Sequence, residues 1–315
     1  MTKGRHVLVT GAAGFLGRQV AASLLTDSRF ADCRFTFTDR IACGHDDPRV
    51  RSIAGDLCDS TVRAQAIGDG VEVVFHLAGL LGGAAEADPG LSRAVNLDGS
   101  LDLIEAVGNA DKPPQFVFAS SIAVFGPPLP AFVDDATPTF PAMIYGAHKR
   151  MVEVWIEHAT LRGRIQGIAL RLPGIVARPA ANASLRSAFL NSIFFDYAKG
   201  KDIDLPVGPD GRTWLISVPT CVAACLDAAL ADLDRLGRRR AIMAPALTVS
   251  IAELIEALAR RFPDSRSKIT FTPDAEIVAQ FGAYPPLGTP GSDALGLRND
   301  GSVDGLVANA MPAAG

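Results

Sequence analysis

The chain has 315 residues, 48% hydrophobic and 20% charged, the balance of a soluble globular protein and enough for one large domain or a domain with an extension. A net charge of −4 and an isoelectric point near 5.7 argue against a nucleic-acid binder, which would carry a basic excess. The polar start, residues 1–6, has no signal-peptide core and no later stretch is long and apolar enough to span a bilayer, so a cytoplasmic protein without a membrane partner is expected, its five scattered cysteines reduced.

In chain order, residues 6–10 read as a strand and 11–25 as a loop and helix. Strands follow at 34–38, 50–55 and 71–77, then a helix at 91–107, a strand at 115–120, a helix at 145–161 and a strand at 165–170. This alternation implies an α/β chain with a parallel sheet covered by helices on both faces. Beyond Pro173 the pattern weakens: Pro and Gly punctuate residues 173–219, and helices return at 220–231 and 251–261. Two domains are therefore expected, a dinucleotide-binding domain over 1–173 and a smaller substrate-binding lobe over 174–315, with some C-terminal segments returning to the first core and a frayed tail at 311–315. Cys221 and Cys225, at helical spacing among alanines and leucines, read as small core residues, and no metal site is expected.

The chemistry-bearing residues cluster where strands end. Gly11-Ala12-Ala13-Gly14-Phe15-Leu16-Gly17 joins the first strand to the first helix, where small residues let backbone approach a pyrophosphate and the helix N-terminus offers N–H donors. Gly17 leaves room for helix–strand packing. Asp39 ends the second strand; a carboxylate there accepts hydrogen bonds from ribose hydroxyls and repels a 2′-phosphate, which favours NAD, while the adjacent Arg40 keeps NADP as the lesser alternative. Asp56-Leu57 follows the third strand, where a side chain can bond the adenine amine or cap a helix. His76-Leu77-Ala78-Gly79 follows the fourth; Leu77, Ala78 and Gly79 let the cofactor's ribose near the backbone, and His76 is expected to be a satisfied core histidine. Asn96, in the next helix, is placed to orient Lys149 through water. Ser121, after the fifth strand, can hydrogen-bond a substrate oxygen and the Tyr145 hydroxyl together. Tyr145 and Lys149, four apart, share one helix face, where an ammonium beside a phenol favours the phenolate.

Taken in order, GxxGxxG, an acid after the second strand, Asp56-Leu57, HLAG, SSxxVxG and YxxxK resemble the extended short-chain dehydrogenase/reductase family, over about residues 7–173. The resemblance implies a Rossmann fold, a doubly wound parallel sheet, with a bound nicotinamide dinucleotide and a catalytic set that falls here on Ser121, Tyr145 and Lys149. It adds Asn96, Tyr145, Lys149 and Pro173 to the cofactor contacts already named. Phe125 stands where many members carry tyrosine, so it is expected to change the lining of the substrate pocket. The family's helices over 96–107 and 145–161 often pair across a two-fold axis, which implies a homodimer, with Met151, Trp155 and His158 as candidates for the seam.

Dehydratases of this family usually carry a Thr-Asp-Glu run where this chain has Ser120-Ser121-Ile122, and Ile122 cannot act as acid or base, so a dehydratase is not expected. An epimerase that keeps the same Ser/Tyr/Lys set remains an alternative, as does a dinucleotide-sensing protein without turnover. Residues 76–88, 171–179 and 295–304 resemble a D-erythronate dehydrogenase-type subgroup and extend the match to nearly the whole chain. This implies oxidation of a small acid sugar at C2, with a polyhydroxy acid as the partner molecule. Arg178, just beyond the sixth strand, can take a carboxylate bidentately, and Asn182 can add a hydroxyl contact. The chain carries Ala180-Ala181-Asn182 where the subgroup has a Gly-Lys-Pro-Asn-like continuation.

Overall fold

A computed structural model describes residues 4–178 and 187–312; Asn182 and the tail residues 313–315 lie outside the described residues. Among the described residues the strands are β1 (His6–Thr10), β2 (Arg34–Asp39), β3 (Val50–Ala54), β4 (Val73–His76), β5 (Gln115–Ser121), β6 (Gln166–Leu172), β7 (Gly174–Val176), β8 (Ile203–Leu205), β9 (Arg212–Ser217), β10 (Ala241–Met243), β11 (Leu247–Ser250) and β12 (Ile269–Phe271). By its contacts the chain divides into two units, residues 1–127, 138–171 and 222–242 in the first, and 128–137, 172–221 and 243–315 in the second.

The first unit is built on a parallel seven-stranded sheet in the order β10-β6-β5-β4-β1-β2-β3, flanked by helices. The order reverses between β1 and β4, and a doubly wound sheet opens its ligand crevice at such a reversal, at the carboxyl ends of the strands. β1 is buried along all five residues and β4 along all four, as strands covered on both faces must be. Register brings the functional edge together: Thr10 lies opposite Thr38 on β2 and His76 on β4, and His76 lies opposite Phe118 on β5. The residues that follow these four positions (Asp39, Gly11, Leu77 to Gly79, Ala119 to Ser121) therefore leave the sheet on one edge. One side of the sheet packs a core including Leu8, Phe116, Phe118, Leu103 and Ile156.

The helices of this unit that bear on the site are α1 (Phe15–Thr26), α2 (Ser60–Ile67), α3 (Gly82–Ala87), α4 (Pro89–Ser92), α5 (Gly99–Val107) and α6 (Ile144–Leu161). The single helix expected over 91–107 is instead α4, a wide turn of π type at 93–98, and α5. The side chain of Asn96 is drawn to the backbone of Leu80, and Ser100 Oγ donates to the Asn96 carbonyl at 2.8 Å, both at the irregular turn. Such insertions recur at functional sites. The sixth strand runs on to Leu172, two residues beyond the expected end, and so includes Arg171.

The second unit holds a three-stranded sheet, β11-β9-β7, and a two-stranded one, β12-β8. Its core gathers Phe194, Leu215, Val249, Leu254 and Leu258. The Pro- and Gly-punctuated stretch over 173–219 contains β7, β8, β9 and a helix, Phe189–Ala198, whose short lengths and aromatic residues hide them from pattern reading. Buried Asp300 ties this unit together, accepting from Ser217 Oγ at 2.6 Å, Thr220 Oγ1 at 2.6 Å and Asn309 Nδ2 at 2.8 Å. The five cysteines form no disulfide. Among the described residues, no helix is long and apolar enough to cross a membrane.

Candidate active site

The glycine-rich turn is shaped by approach: Gly11 and Gly17 have no room for a side chain, and Gly14 is tight. Gly11 has φ +69°, and a Cβ there would stand 2.6 Å from the Ala78 nitrogen on the far side of the sheet reversal. A Cβ on Gly17 would lie 2.0 Å from the Gly11 oxygen, and one on Gly14 3.1 Å from the same atom. Gly14 opens α1 with no capping side chain, and no acid occupies the first turn. The helix end formed by Phe15, Leu16 and Gly17 therefore offers N–H donors and a positive dipole end, with no acid in its own first turn to neutralise it.

Asp39 faces this turn. Its Oδ2 accepts from the Ala13 N–H at 3.1 Å and its Oδ1 from the Arg40 N–H at 2.7 Å, which fixes the carboxylate and leaves lone pairs on both oxygens. Asp56 Oδ1 accepts from the Cys58 N–H at 2.9 Å and so caps the turn before α2, while the cap of α2 itself is Asp59, which accepts from the Thr61 N–H at 2.7 Å. A cradle closed to Cβ atoms, a helix end with no acid in its first turn and a fixed acid at the end of β2 fit a dinucleotide's pyrophosphate and ribose.

His76 is buried and fully bonded. Ser100 Oγ spends its proton on the Asn96 carbonyl, so at 2.8 Å it accepts from His76 Nε2–H. His76 Nδ1 then accepts from Thr10 Oγ1 at 2.7 Å, and Thr10 Oγ1 accepts from the Ala78 N–H at 3.3 Å. Burial, reinforced by the Lys149 charge, pushes the imidazole down to about 3. His76 is thus a neutral core residue that fixes the chain leaving β4. The next residues are clamped by Asn96, whose Oδ1 accepts from the Leu80 N–H at 2.7 Å and whose Nδ2 donates to the Leu80 carbonyl at 3.0 Å. A Cβ on Gly79 would meet Asn96 Oδ1 at 3.0 Å and Lys149 Nζ at 3.6 Å, so these three residues converge on one spot.

Lys149 is 3% exposed. Its Nζ donates to the Ala119 carbonyl at 2.7 Å, lies 4.4 Å from the Phe118 ring centroid, and is 5.6 Å from the centroid of Tyr145. Desolvation pulls its ammonium down to about 7, against the pull of the Glu153 carboxylate. Tyr145 is half-buried as a residue, yet the surroundings of its hydroxyl are crowded, and desolvation pushes the phenol up to about 12, with a hydrogen bond to Ser121 acting the other way. Ser121 Oγ also accepts from the Ala123 N–H at 3.1 Å, which fixes its side chain at the end of β5. The spacing predicts that Lys149 brings the phenol down; in the structure burial is the largest effect on both groups, and Ser121 is what opposes it at the phenol.

Pro173 separates β6 from β7. Arg178, beyond β7, donates its backbone N–H to Asn191 Oδ1 at 2.9 Å, and its buried Nε has no hydrogen-bond partner among the described residues. Desolvation lowers the Arg178 pKa. Phe125 is buried, its ring centroid 5.1 Å from the Arg171 guanidinium carbon. Residue reading passed over Glu153 and the strand residues around it. The signal was present: Tyr145, Lys149 and Glu153 continue one helix stripe at steps of four, and an acid on that buried stripe is unusual.

Residues 7–229 match the model of the NAD dependent epimerase/dehydratase family. The chain is 37% identical to a D-erythronate dehydrogenase of Cupriavidus necator, over 98% of this chain and 99% of that one. It is 31% identical to a D-erythronate dehydrogenase of Haemophilus influenzae, over 80% and 81%. Among solved structures it is similar to a nucleoside-diphosphate-sugar epimerase from Agrobacterium tumefaciens, with a TM-score of 0.87, 30% identity, and coverage of 96% of this chain and 92% of that one.

Proposed function

Because this chain belongs to the NAD dependent epimerase/dehydratase family, we propose that it is an NAD-dependent dehydrogenase that oxidises the C2 hydroxyl of a small acid sugar of the D-erythronate kind. The observation that carries the reading is the buried Lys149 beside Tyr145, with Ser121 acting to lower the phenol, in a chain similar end to end to a D-erythronate dehydrogenase. When bound, the dinucleotide supplies the hydride acceptor.

The chain's residues do the rest. Gly11, Gly14, Phe15, Leu16 and Gly17 hold the pyrophosphate by backbone approach, and Asp39 takes the ribose hydroxyls and disfavours a 2′-phosphate. Asp56 and Leu57 flank the adenine. Leu77, Ala78, Gly79 and Asn96 line the path toward the nicotinamide end. Ser121 hydrogen-bonds the substrate oxygen and stabilises the carbonyl that develops there. Tyr145 removes the hydroxyl proton. Lys149 has three N–H donors, one given to Ala119, and its charge holds the phenolate form of Tyr145 within reach. Arg178 takes the substrate carboxylate, consistent with a guanidinium whose Nε is buried without a partner among the described residues. Asn182 adds a hydroxyl contact.

The test is absorbance of the reduced nicotinamide across a panel of aldonates, uronates and sugar nucleotides, with NAD and NADP in parallel. Net reduction of NAD by a four-carbon aldonate is the expected result. An epimerase would interconvert a sugar with no net reduced dinucleotide, and a sensing protein would bind NAD without turnover.

A further inference from the structure

Glu153, one turn beyond Lys149 on α6, has no solvent exposure. A carboxylate wholly out of water is costly unless paired and bonded. Arg171 of β6 meets it as a fork, Nε to Oε1 at 3.0 Å and Nη2 to Oε2 at 2.9 Å. Ser120 Oγ donates to Oε1 at 2.6 Å, and Arg150 Nη1 to Oε2 at 3.2 Å. Three successive residues of β5 thus hold the stripe: Phe118 and Ala119 take Lys149, and Ser120 takes Glu153. Of the four charged residues Lys149, Arg150, Glu153 and Arg171, Glu153 is the single anion. Without it Lys149 and Arg171 would be two buried cations with no anion among these four residues. The guanidinium of Arg171 cannot shed its proton, so Lys149 would be the one to yield.

We propose that Glu153 is a positioning residue for the Tyr145–Lys149 pair: locked by Arg171 and Ser120, its carboxylate keeps Lys149 an ammonium and holds it in register against β5. The proposal rests on the dehydrogenase reading for the use made of that charge, but the charge itself is measurable without substrate. Burial drives Lys149 down to about 7, and the Glu153 carboxylate opposes that fall. The other titratable or charged groups on the elements around Lys149 do not replace it. His76 of β4 is neutral. Glu86 of α3 is on the exposed side and accepts from the Tyr145 N–H at 3.3 Å. In the 93–98 turn Arg93 and Asp98 pair at 3.4 Å, and on α5 Asp102 and Glu105 pair with Arg63 and Arg164. His148, next to Lys149, has its imidazole pKa lowered by burial and bonds Ser92 Oγ at 2.9 Å.

The experiment follows unfolding free energy against pH for the full chain without added dinucleotide, each protein paired with its Lys149→Met counterpart, so that the difference reads the lysine's proton. In the wild type this difference begins to rise near the Lys149 value of about 7. In Glu153→Gln, which keeps shape and loses charge, the rise begins at least about one pH unit lower, a tenfold change in the acid constant. Glu153→Asp keeps it near the wild-type position. The alkaline fall in kcat moves down by the same amount in Glu153→Gln while KM stays. Should Glu153→Gln fail to fold, Arg150→Gln removes a half-exposed cation 3.2 Å from the carboxylate and moves the onset upward. A Glu153→Gln onset that coincides with the wild type, a Glu153→Asp that behaves as Glu153→Gln, or an unmoved Arg150→Gln onset would each overturn the proposal. A shifted stability curve in a protein without dehydrogenase activity would instead contradict the proposed function and leave this one standing.

Discussion

Tyr145 and Lys149 are a pair in which each group is pushed by burial toward its neutral form, the phenol to about 12 and the ammonium to about 7. Tyr145→Phe keeps the ring and removes the proton acceptor, so kcat should fall by about 10²–10⁴-fold, with the dissociation constant for NAD little changed in a fluorescence titration. Ser121→Ala removes one donor to the developing carbonyl oxygen and should cost about 10²-fold or more in kcat. The lysine also leaves a mark on stability. Its folded value of about 7 lies below its unfolded value, about 10.4, so between these the unfolded chain binds more protons and stability rises with pH. Lys149→Met should therefore be more stable than the wild type below pH about 7, by roughly 2–4 kcal/mol, with the gap closing toward pH about 10 in urea denaturation. A gap independent of pH would contradict the buried, depressed lysine. At this scale residue types and spacing were enough to nominate Ser121, Tyr145 and Lys149. They were silent on Glu153 and Arg171, because an ion pair between a helix and a strand eighteen residues apart leaves no local pattern.

Elements carry the site by where they stop. Thr38 of β2, Thr10 of β1, His76 of β4 and Phe118 of β5 are in register, and each strand hands a functional residue to the same edge within one to three positions. These stops were legible, since a run of apolar β-branched and aromatic residues ending in Gly, Asp or Ser marks a strand end and a loop. The turn at 93–98 was not, because its cause is tertiary: Asn96 bonds the backbone of Leu80, sixteen residues away. Nor were β7 and β8, three residues each, too short for any periodicity to show. Two expectations belong here. Gly17→Ala would place a Cβ 2.0 Å from the Gly11 oxygen, so α1 must shift off the turn; NAD binding should weaken by at least about tenfold, and thermal unfolding should occur several degrees lower. The link through His76 should be acid-sensitive. Its folded value of about 3 lies below the unfolded value, about 6.5, so its contribution is complete above pH about 6.5 and is lost as pH falls toward 3. Replacing His76 by Leu should cost stability at pH 7 yet flatten the loss between pH about 6.5 and about 4.

At the scale of the molecule, two compact units share one chain, and the dinucleotide fit lies within the first. That unit was the more readable because a repeated strand–helix alternation constrains topology, whereas the second is assembled mostly from strands of three to six residues that leave little periodicity. α6 leaves Met151, Val154 and Leu161 exposed on the helix that the family resemblance places at a two-fold seam, while Trp155 packs against the first unit's core. A homodimer is the expected species, and sedimentation velocity at micromolar concentration should show about twice the chain mass; a monomer would remove the pairing. The Ser/Tyr/Lys cluster should oxidise a small acid sugar with NAD. This is tested most directly by following reduced nicotinamide with D-erythronate and related aldonates in wild type and Tyr145→Phe. NAD reduction by the wild type, slower with NADP, and loss of nearly all rate in the variant are the expected results. No reduction with any 2-hydroxy acid, or equal rates in the two proteins, would contradict it.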